Sequence, residues 1–153
     1  MVMHIKKIMG SIEFAERAYY RLVLIVGKSD SGKTAVLRKI AKASENDIIN
    51  LNMCISEEFL GLSIKKRQLS LSKILNKVTK CKGDKIFLDN IEMLFDTKLN
   101  QNPLRLLQSL SKNKTVVSTW NGSVQGDILT YGESDHREYR KYILQDIVAI
   151  SIE

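Results

Sequence analysis

Eight consecutive residues narrow the choice of fold more than any other stretch of this chain: Gly27-Lys28-Ser29-Asp30-Ser31-Gly32-Lys33-Thr34. They fit the pattern G-x-x-x-x-G-K-[ST] of a phosphate-binding loop without a gap. The flanks agree. Leu22-Val23-Leu24-Ile25-Val26 is an unbroken apolar run of the kind a fully buried strand shows. Val36, Leu37, Ile40 and Ala41 then recur at helical spacing, with Arg38, Lys39 and Lys42 between them. That spacing predicts a helix with one buried and one wet face. The plain alternative is a glycine-rich turn between strand and helix.

Each loop residue has a physical part to play. Gly27 and Gly32 take backbone angles that other residues resist and let the chain pass close to an anion. The N–H groups of Lys28, Ser29, Asp30, Ser31, Gly32, Lys33, Thr34 and Ala35 are expected to cradle phosphate oxygens. The positive end of the following helix adds to that field. Lys33 should reach the β- and γ-phosphates as a point charge, and the Thr34 hydroxyl should ligate Mg²⁺. Asp30 is an oddity: a carboxylate inside the loop weakens binding if it points inward and is harmless if it points outward.

The 153 residues are expected to form one nucleotide-binding domain, 1–153, with residues 1–20 as a helix packed on it. Apolar content of 44% and charged content of 27% suit a soluble globular protein. No apolar run is long enough to span a membrane, and Met1–Tyr20 lacks the features of a secretory signal. Cys54 and Cys81 belong to no CxxC or Cys/His cluster, which points to free or buried thiols in a reducing compartment. His4 and His136 show no metal-ligand spacing. The net charge of +7 permits contact with nucleic acid or an acidic partner without demanding one.

Along the chain, residues 4–20 read as an amphipathic helix through Ile5, Ile8, Met9, Ile12, Ala15 and Tyr19. Residues 47–53 read as a second strand. Ser56 to Leu60 reads as the start of a helix, Lys65-Lys66-Arg67 as a solvated face or a phosphate contact, and residues 71–80 as a helix capped by Ser70. Lys85-Ile86-Phe87-Leu88-Asp89 is an apolar strand ending in an acid, where a carboxylate can hold Mg²⁺ through its water shell. In many such ATPases a glutamate follows that aspartate and orients water; Asn90 stands there, and an amide cannot act as a carboxylate base. Glu92 is the nearest substitute, and it also reads as a surface acid in the first turn of a short helix. Asn102-Pro103 marks another helix start. Residues 115–120 read as a fourth strand ending at the turn Asn121-Gly122. Thr119 and Asn121 are candidate γ-phosphate sensors, with turn chemistry as the alternative for Asn121. Residues 128–131 read as the return arm of a hairpin, 135–142 as a surface helical turn or a subunit contact, and 147–152 as a final buried strand.

The loop, residues 88–95, Asn102 to Gln108, Thr115 to Gly122, and Leu129-Thr130-Tyr131 to Tyr139-Arg140-Lys141-Tyr142 together resemble BrxF, the small P-loop proteins of type 3 BREX anti-phage defence systems. The resemblance covers about residues 20–152. It implies an ATP-binding component of a multi-protein defence complex in the bacterial or archaeal cytoplasm. Lys28 and Asp30 depart from the family's usual small-residue loop. Strands alternating with helices imply an α/β, three-layer P-loop NTPase fold with a mostly parallel five-stranded sheet. The core is similar to the AAA+ or RecA-like group without a C-terminal helical lid. The expected ligands are ATP and Mg²⁺, held by Lys33, Thr34 and Asp89, with Asn90, Glu92 and Asn121 around the reacting phosphate. Any arginine to the phosphates is expected from a neighbouring subunit, with Arg105, Arg137 and Arg140 as candidates. Self-association and other defence proteins are the expected partners, DNA contact is open, and no membrane contact is expected. The competing readings are a non-hydrolysing nucleotide switch or scaffold, a small-molecule kinase, and a nucleic-acid-binding module.

Overall fold

The computed structural model describes residues 2–80, 83–133 and 137–153. Element order is α1 (Val2–Ala15), β1 (Leu22–Gly27), α2 (Lys33–Ala43), β2 (Ile48–Asn50), α3 (Leu51–Phe59), α4 (Ile64–Val78), β3 (Lys85–Asp89), α5 (Pro103–Leu110), β4 (Thr115–Gln125), β5 (Ile128–Tyr131), β6 (Arg140–Ile143) and β7 (Val148–Ser151), with 3-10 turns at Glu92–Phe95 and Thr97–Leu99. Five strands pair in parallel in the order β2-β3-β4-β1-β7. The antiparallel strands β5 and β6 extend the far end of β4. The expected α/β, mostly parallel P-loop sheet is present.

The sheet is covered on both faces, which is why β1 is apolar at every position. Leu22, Leu24 and Val26 face a core built with α3, α4, α5 and the 3-10 turns. Val23 and Ile25 face a second core with Ile8, Ile12 and Ala15 of α1 and Val36, Leu37 and Ile40 of α2. The three layers are therefore α1 and α2, the sheet, and α3 to α5.

Several sequence expectations are corrected here. The first helix ends at Ala15, and Tyr19 lies beyond it, 67% exposed. The second strand stops at Asn50, because the Asn50 side chain accepts the Met53 N–H at 3.2 Å and starts α3 at Leu51. Ser56 to Phe59 therefore ends a helix that the sequence reading placed at its beginning. Helix α4 starts seven residues earlier than expected, at Ile64, capped by Ser63 and not by Ser70. In the basic triplet, Lys65 and Lys66 are exposed, while Arg67 folds back over the Phe59 ring at 5.1 Å and donates to the Phe59 and Leu62 carbonyls. Pro103 does open α5 behind the Asn102 cap.

The largest correction is β4. It does not turn at Asn121-Gly122 but runs straight on to Gln125, and the chain reverses at Gly126, whose φ is 61°. Gly122 is there for room: a Cβ would lie 1.8 Å from the Thr130 carbonyl oxygen of β5. Trp120 is wholly buried, donates from Nε1 to the Thr130 carbonyl at 2.9 Å, and meets Phe95, Tyr131 and Tyr142 edge-on. Tyr131 stacks on Phe95 at 3.4 Å, and burial pushes its hydroxyl pKa up. This aromatic knot binds the hairpin to the Glu92–Phe95 turn. Residues 140–142 of the segment read as a helical turn or a subunit contact are not helical but lie in β6. Asp135 and His136 of that segment, and Cys81, lie outside the described residues; Cys54 is a half-buried free thiol. No helix among the described residues is long and apolar enough to cross a membrane.

Candidate phosphate and nucleotide site

Parallel pairing brings the ends of three strands to the middle of a fourth. Asn50 pairs with Asp89, Leu88 with Ser118, and Gly27 with Asn121, so the ends of β2, β3 and β1 meet the middle of β4 along one rim. The loop from Lys28 to Gly32 rises from that rim and leads into α2. The two loop glycines answer to different demands. Gly32 sits at φ 96°, in the left-handed region, as the residue before α2. Gly27 has no such angle; a side chain there would lie 2.4 Å from Ser31 Oγ. Asp30 also takes a left-handed backbone, at φ 62°, which aspartate tolerates better than most residues. Its side chain is exposed and borders the cavity.

A cavity of about 420 Å³ opens above the rim and gathers Ser29, Asp30, Ser31, Gly32, Lys33, Thr34, Asp89, Asn90, Glu92, Thr119 and Asn121. Of the residues expected at the site, Gly27, Lys28 and Ala35 do not line it. Lys28 lines an adjoining cavity of about 550 Å³ between the loop and the hairpin.

Asp89 is the hub of the cavity, only 7% exposed. Its Oδ2 accepts from Thr34 Oγ1 at 2.9 Å and its Oδ1 from Thr119 Oγ1 at 2.7 Å. The Asn90 N–H also donates to Oδ1, at 3.0 Å. The two residues expected to hold a metal, Thr34 and Asp89, are thus in direct contact. Such a hydroxyl–carboxylate pair suits a hard cation that completes its shell with phosphate oxygens and water. Among the described residues no cluster of three or more His, Cys, Asp or Glu is present, so any cation here draws on fewer protein ligands.

Lys33 is 6% exposed. Its ammonium turns back on the loop, donating to the Lys28 carbonyl and, at 3.3 Å, to Ser31 Oγ. Burial pulls its pKa below the ordinary lysine value, and the carboxylates of Glu153, Glu92, Asp89 and Asp30 partly oppose that. Glu153 reaches the loop directly, accepting the Lys28 N–H at 2.7 Å.

Glu92 combines features of both readings given for it. It does begin a short 3-10 turn, but its side chain is half-buried and turned into the cavity. Asn121 Nδ2 donates to its Oε1 at 2.8 Å and Asn52 Nδ2 to its Oε2 at 3.2 Å. Asn121 is therefore a mid-strand residue holding a carboxylate, and turn chemistry does not explain it. Asn52 was missed by sequence reasoning because it was assigned to a strand. It forms two further bonds: its N–H donates to the Asn90 carbonyl at 2.8 Å, and its Oδ1 accepts the Met93 N–H at 2.8 Å. Its signal lay in the Asn50 cap, which places it in the first turn of α3, beside the end of β3. Asn90 has φ 53°, where asparagine is favoured over glutamate.

Arg105 lies on α5, away from the cavity, and no arginine lines the cavity among the described residues. The rim therefore offers loop amides and one ammonium for phosphate, a hydroxyl–carboxylate pair for a cation, and one clamped glutamate. The sequence pattern of the ATPase family associated with various cellular activities (AAA) matches residues 23–119, well over half of the chain. No curated protein matches the chain.

Proposed function

Since the chain belongs to the ATPase family associated with various cellular activities, we propose that it binds Mg-ATP and hydrolyses it slowly, as a component of a type 3 BREX anti-phage complex like the BrxF proteins it resembles. The observation that carries the ATPase reading is the unbroken hydrogen-bonded series Thr34–Asp89–Thr119 beside Lys33 and the clamped Glu92, all on one rim. The BREX role rests on the sequence resemblance alone.

In this reading Lys33 exchanges the Lys28 carbonyl for phosphate oxygens. Mg²⁺, when bound, neutralises phosphate charge, with Thr34 and Asp89 as its protein ligands. Thr119 keeps Asp89 oriented. Glu92 accepts a proton from the attacking water, and Asn121 and Asn52 hold its carboxylate in place. Asn90 supplies the left-handed turn that delivers Glu92 to the cavity, and does not serve as a base.

Isothermal titration with Mg-ATP and a phosphate-release assay test this together. Lys33→Ala should abolish binding. Glu92→Gln should leave binding within about threefold and lower turnover at least about a hundredfold, the low end of what a general base contributes. Retained affinity in Lys33→Ala overturns the site. Binding without turnover in the parent protein, alone or assembled, favours the second reading, a nucleotide switch or scaffold. That reading is motivated by Asn90 in the usual place of a glutamate.

A further inference from the structure

At the pole of the sheet away from the phosphate loop, a groove of about 460 Å³ opens where the segments leading into β1 and β7 meet α5. Tyr19 and Tyr20 border it from before β1, Gln145 and Asp146 from before β7, and Arg105, Gln108 and Lys112 from α5 and the turn that follows it. We propose that this groove is a binding site for single-stranded nucleic acid.

Three observations converge on that ligand. The first is aromatic surface. Tyr19 is 67% exposed, and its ring meets Tyr20 edge-on, with centroids 4.8 Å apart. No core packing demands a tyrosine there, and with one ring neighbour, met edge to face, the exposed Tyr19 ring keeps at least one face open to another flat ring. The second is the placement of charge. Arg105 and Gln108 lie three residues apart on α5, and Lys112 follows in the turn after it, so all three border the groove. Both Arg105 and Lys112 are exposed, with Asp146 the single carboxylate of the groove. The third is the excess of seven positive charges over the whole chain, which favours a polyanion at long range.

Aromatic faces beside a short row of cations form the platform on which unstacked bases lie while their phosphates are paired. A duplex keeps its base faces stacked and presents none to Tyr19, so the single strand fits and the double helix does not. A purely acidic peptide would use Arg105 and Lys112 but would gain nothing from the tyrosine ring. Arg105, weighed above as a trans contact to nucleotide, here acts within its own chain. The site is separate from the phosphate cavity and does not depend on nucleotide.

The test is fluorescence anisotropy with labelled oligothymidylate and oligouridylate of about 15 nucleotides, near the upper site size of a small single-strand-binding fold, without nucleotide. Tyr19→Ala should weaken binding about fivefold or more, while Tyr19→Phe keeps it. The double variant R105A/K112A should reduce the log–log salt slope by about 1.4, from two phosphate contacts at about 0.7 each. Lys65→Ala with Lys66→Ala, two exposed lysines on α4, should change neither. A hairpin duplex should bind more weakly than either single strand, and the two single strands separate DNA from RNA as the preferred form. The proposal is overturned if neither oligonucleotide binds at physiological salt, or if Tyr19→Ala binds like the parent. Equal losses in the α4 and groove variants would also overturn it, as would equal competition from polyglutamate, because either result reports bulk charge alone.

Discussion

Lys33 spends the free state bonded to its own loop, at the Lys28 carbonyl and Ser31 Oγ, in a buried position that lowers its pKa. Phosphate binding needs the charged amine. As pH rises through that lowered pKa, still below the ordinary 10.5, the amine loses its proton and nucleotide affinity should fall. Titrations across the alkaline range check this, and Lys33→Arg, which stays charged, should flatten the decline even where its absolute affinity is lower. Asn52→Ala removes one of two side-chain donors to Glu92 and the Oδ1 that accepts the Met93 N–H, while the backbone bond from Asn52 to the Asn90 carbonyl stays. It should lower turnover about tenfold while leaving affinity for Mg-ATP nearly unchanged, a split that steady-state kinetics and calorimetry read separately. Asn90→Glu forces glutamate into φ 53° and should cost about 1–2 kcal/mol in denaturant unfolding without raising turnover. At this scale Lys33 and Thr34 were legible from the fixed spacing of the loop pattern, and Asp89 from its place at the end of an apolar strand. Asn52 was not, because its role depends on where a neighbouring strand stops.

At the scale of elements, the sequence marked where helices and strands exist better than where they begin. β1, α2, β3 and α5 carry an apolar run, a periodic face or a proline start, and they stand where expected. The region from Asp47 to Leu71 did not read cleanly. Asn50 caps a helix directly at the end of a strand, and Ser63, two residues after Gly61, caps the next. Local apolar alternation hid both junctions. Ser63→Ala should therefore destabilise the protein by about 1 kcal/mol, while Ser70→Ala, in mid-helix, should change stability little; thermal unfolding distinguishes them. The hairpin was half legible. Its return arm was expected, but Asn-Gly is a favoured turn pair and drew the turn five residues too early. What overrides it is tertiary: Gly122 is needed where β5 passes close, so Gly122→Ala should cost about 2 kcal/mol or more by crowding the Thr130 carbonyl.

Over the whole molecule, the order β2-β3-β4-β1-β7 gathers residues far apart in sequence, Thr34, Asp89 and Thr119, into direct contact. Alternating strand and helix signals made that architecture readable, because parallel strands need helical crossovers. The companion of Glu92 in the cavity is one cation, Lys33, with no arginine among the described lining residues. If a second copy supplies that charge, light scattering should show a larger mass with Mg-ATP than without it, and turnover per chain should rise with concentration. A constant mass and constant specific activity would assign completion of the site to a different protein. The partners themselves were not legible in the fold, since nothing in packing or spacing names them.

β4 is one continuous strand of eleven residues that begins in the buried core, passes the phosphate rim at Thr119 and Asn121, and ends as the first arm of the hairpin. Its side chains alternate faces, so length carries information that composition does not. Losing or gaining one residue between Val117 and Gly122 would swing Asn121 away from Glu92 and misalign Gly122 with Thr130 in the same event. Over evolutionary time this stretch should accept exchanges of residue while refusing insertions and deletions. The reversal at Gly126-Asp127, bound by neither constraint, is where related chains are free to differ in length.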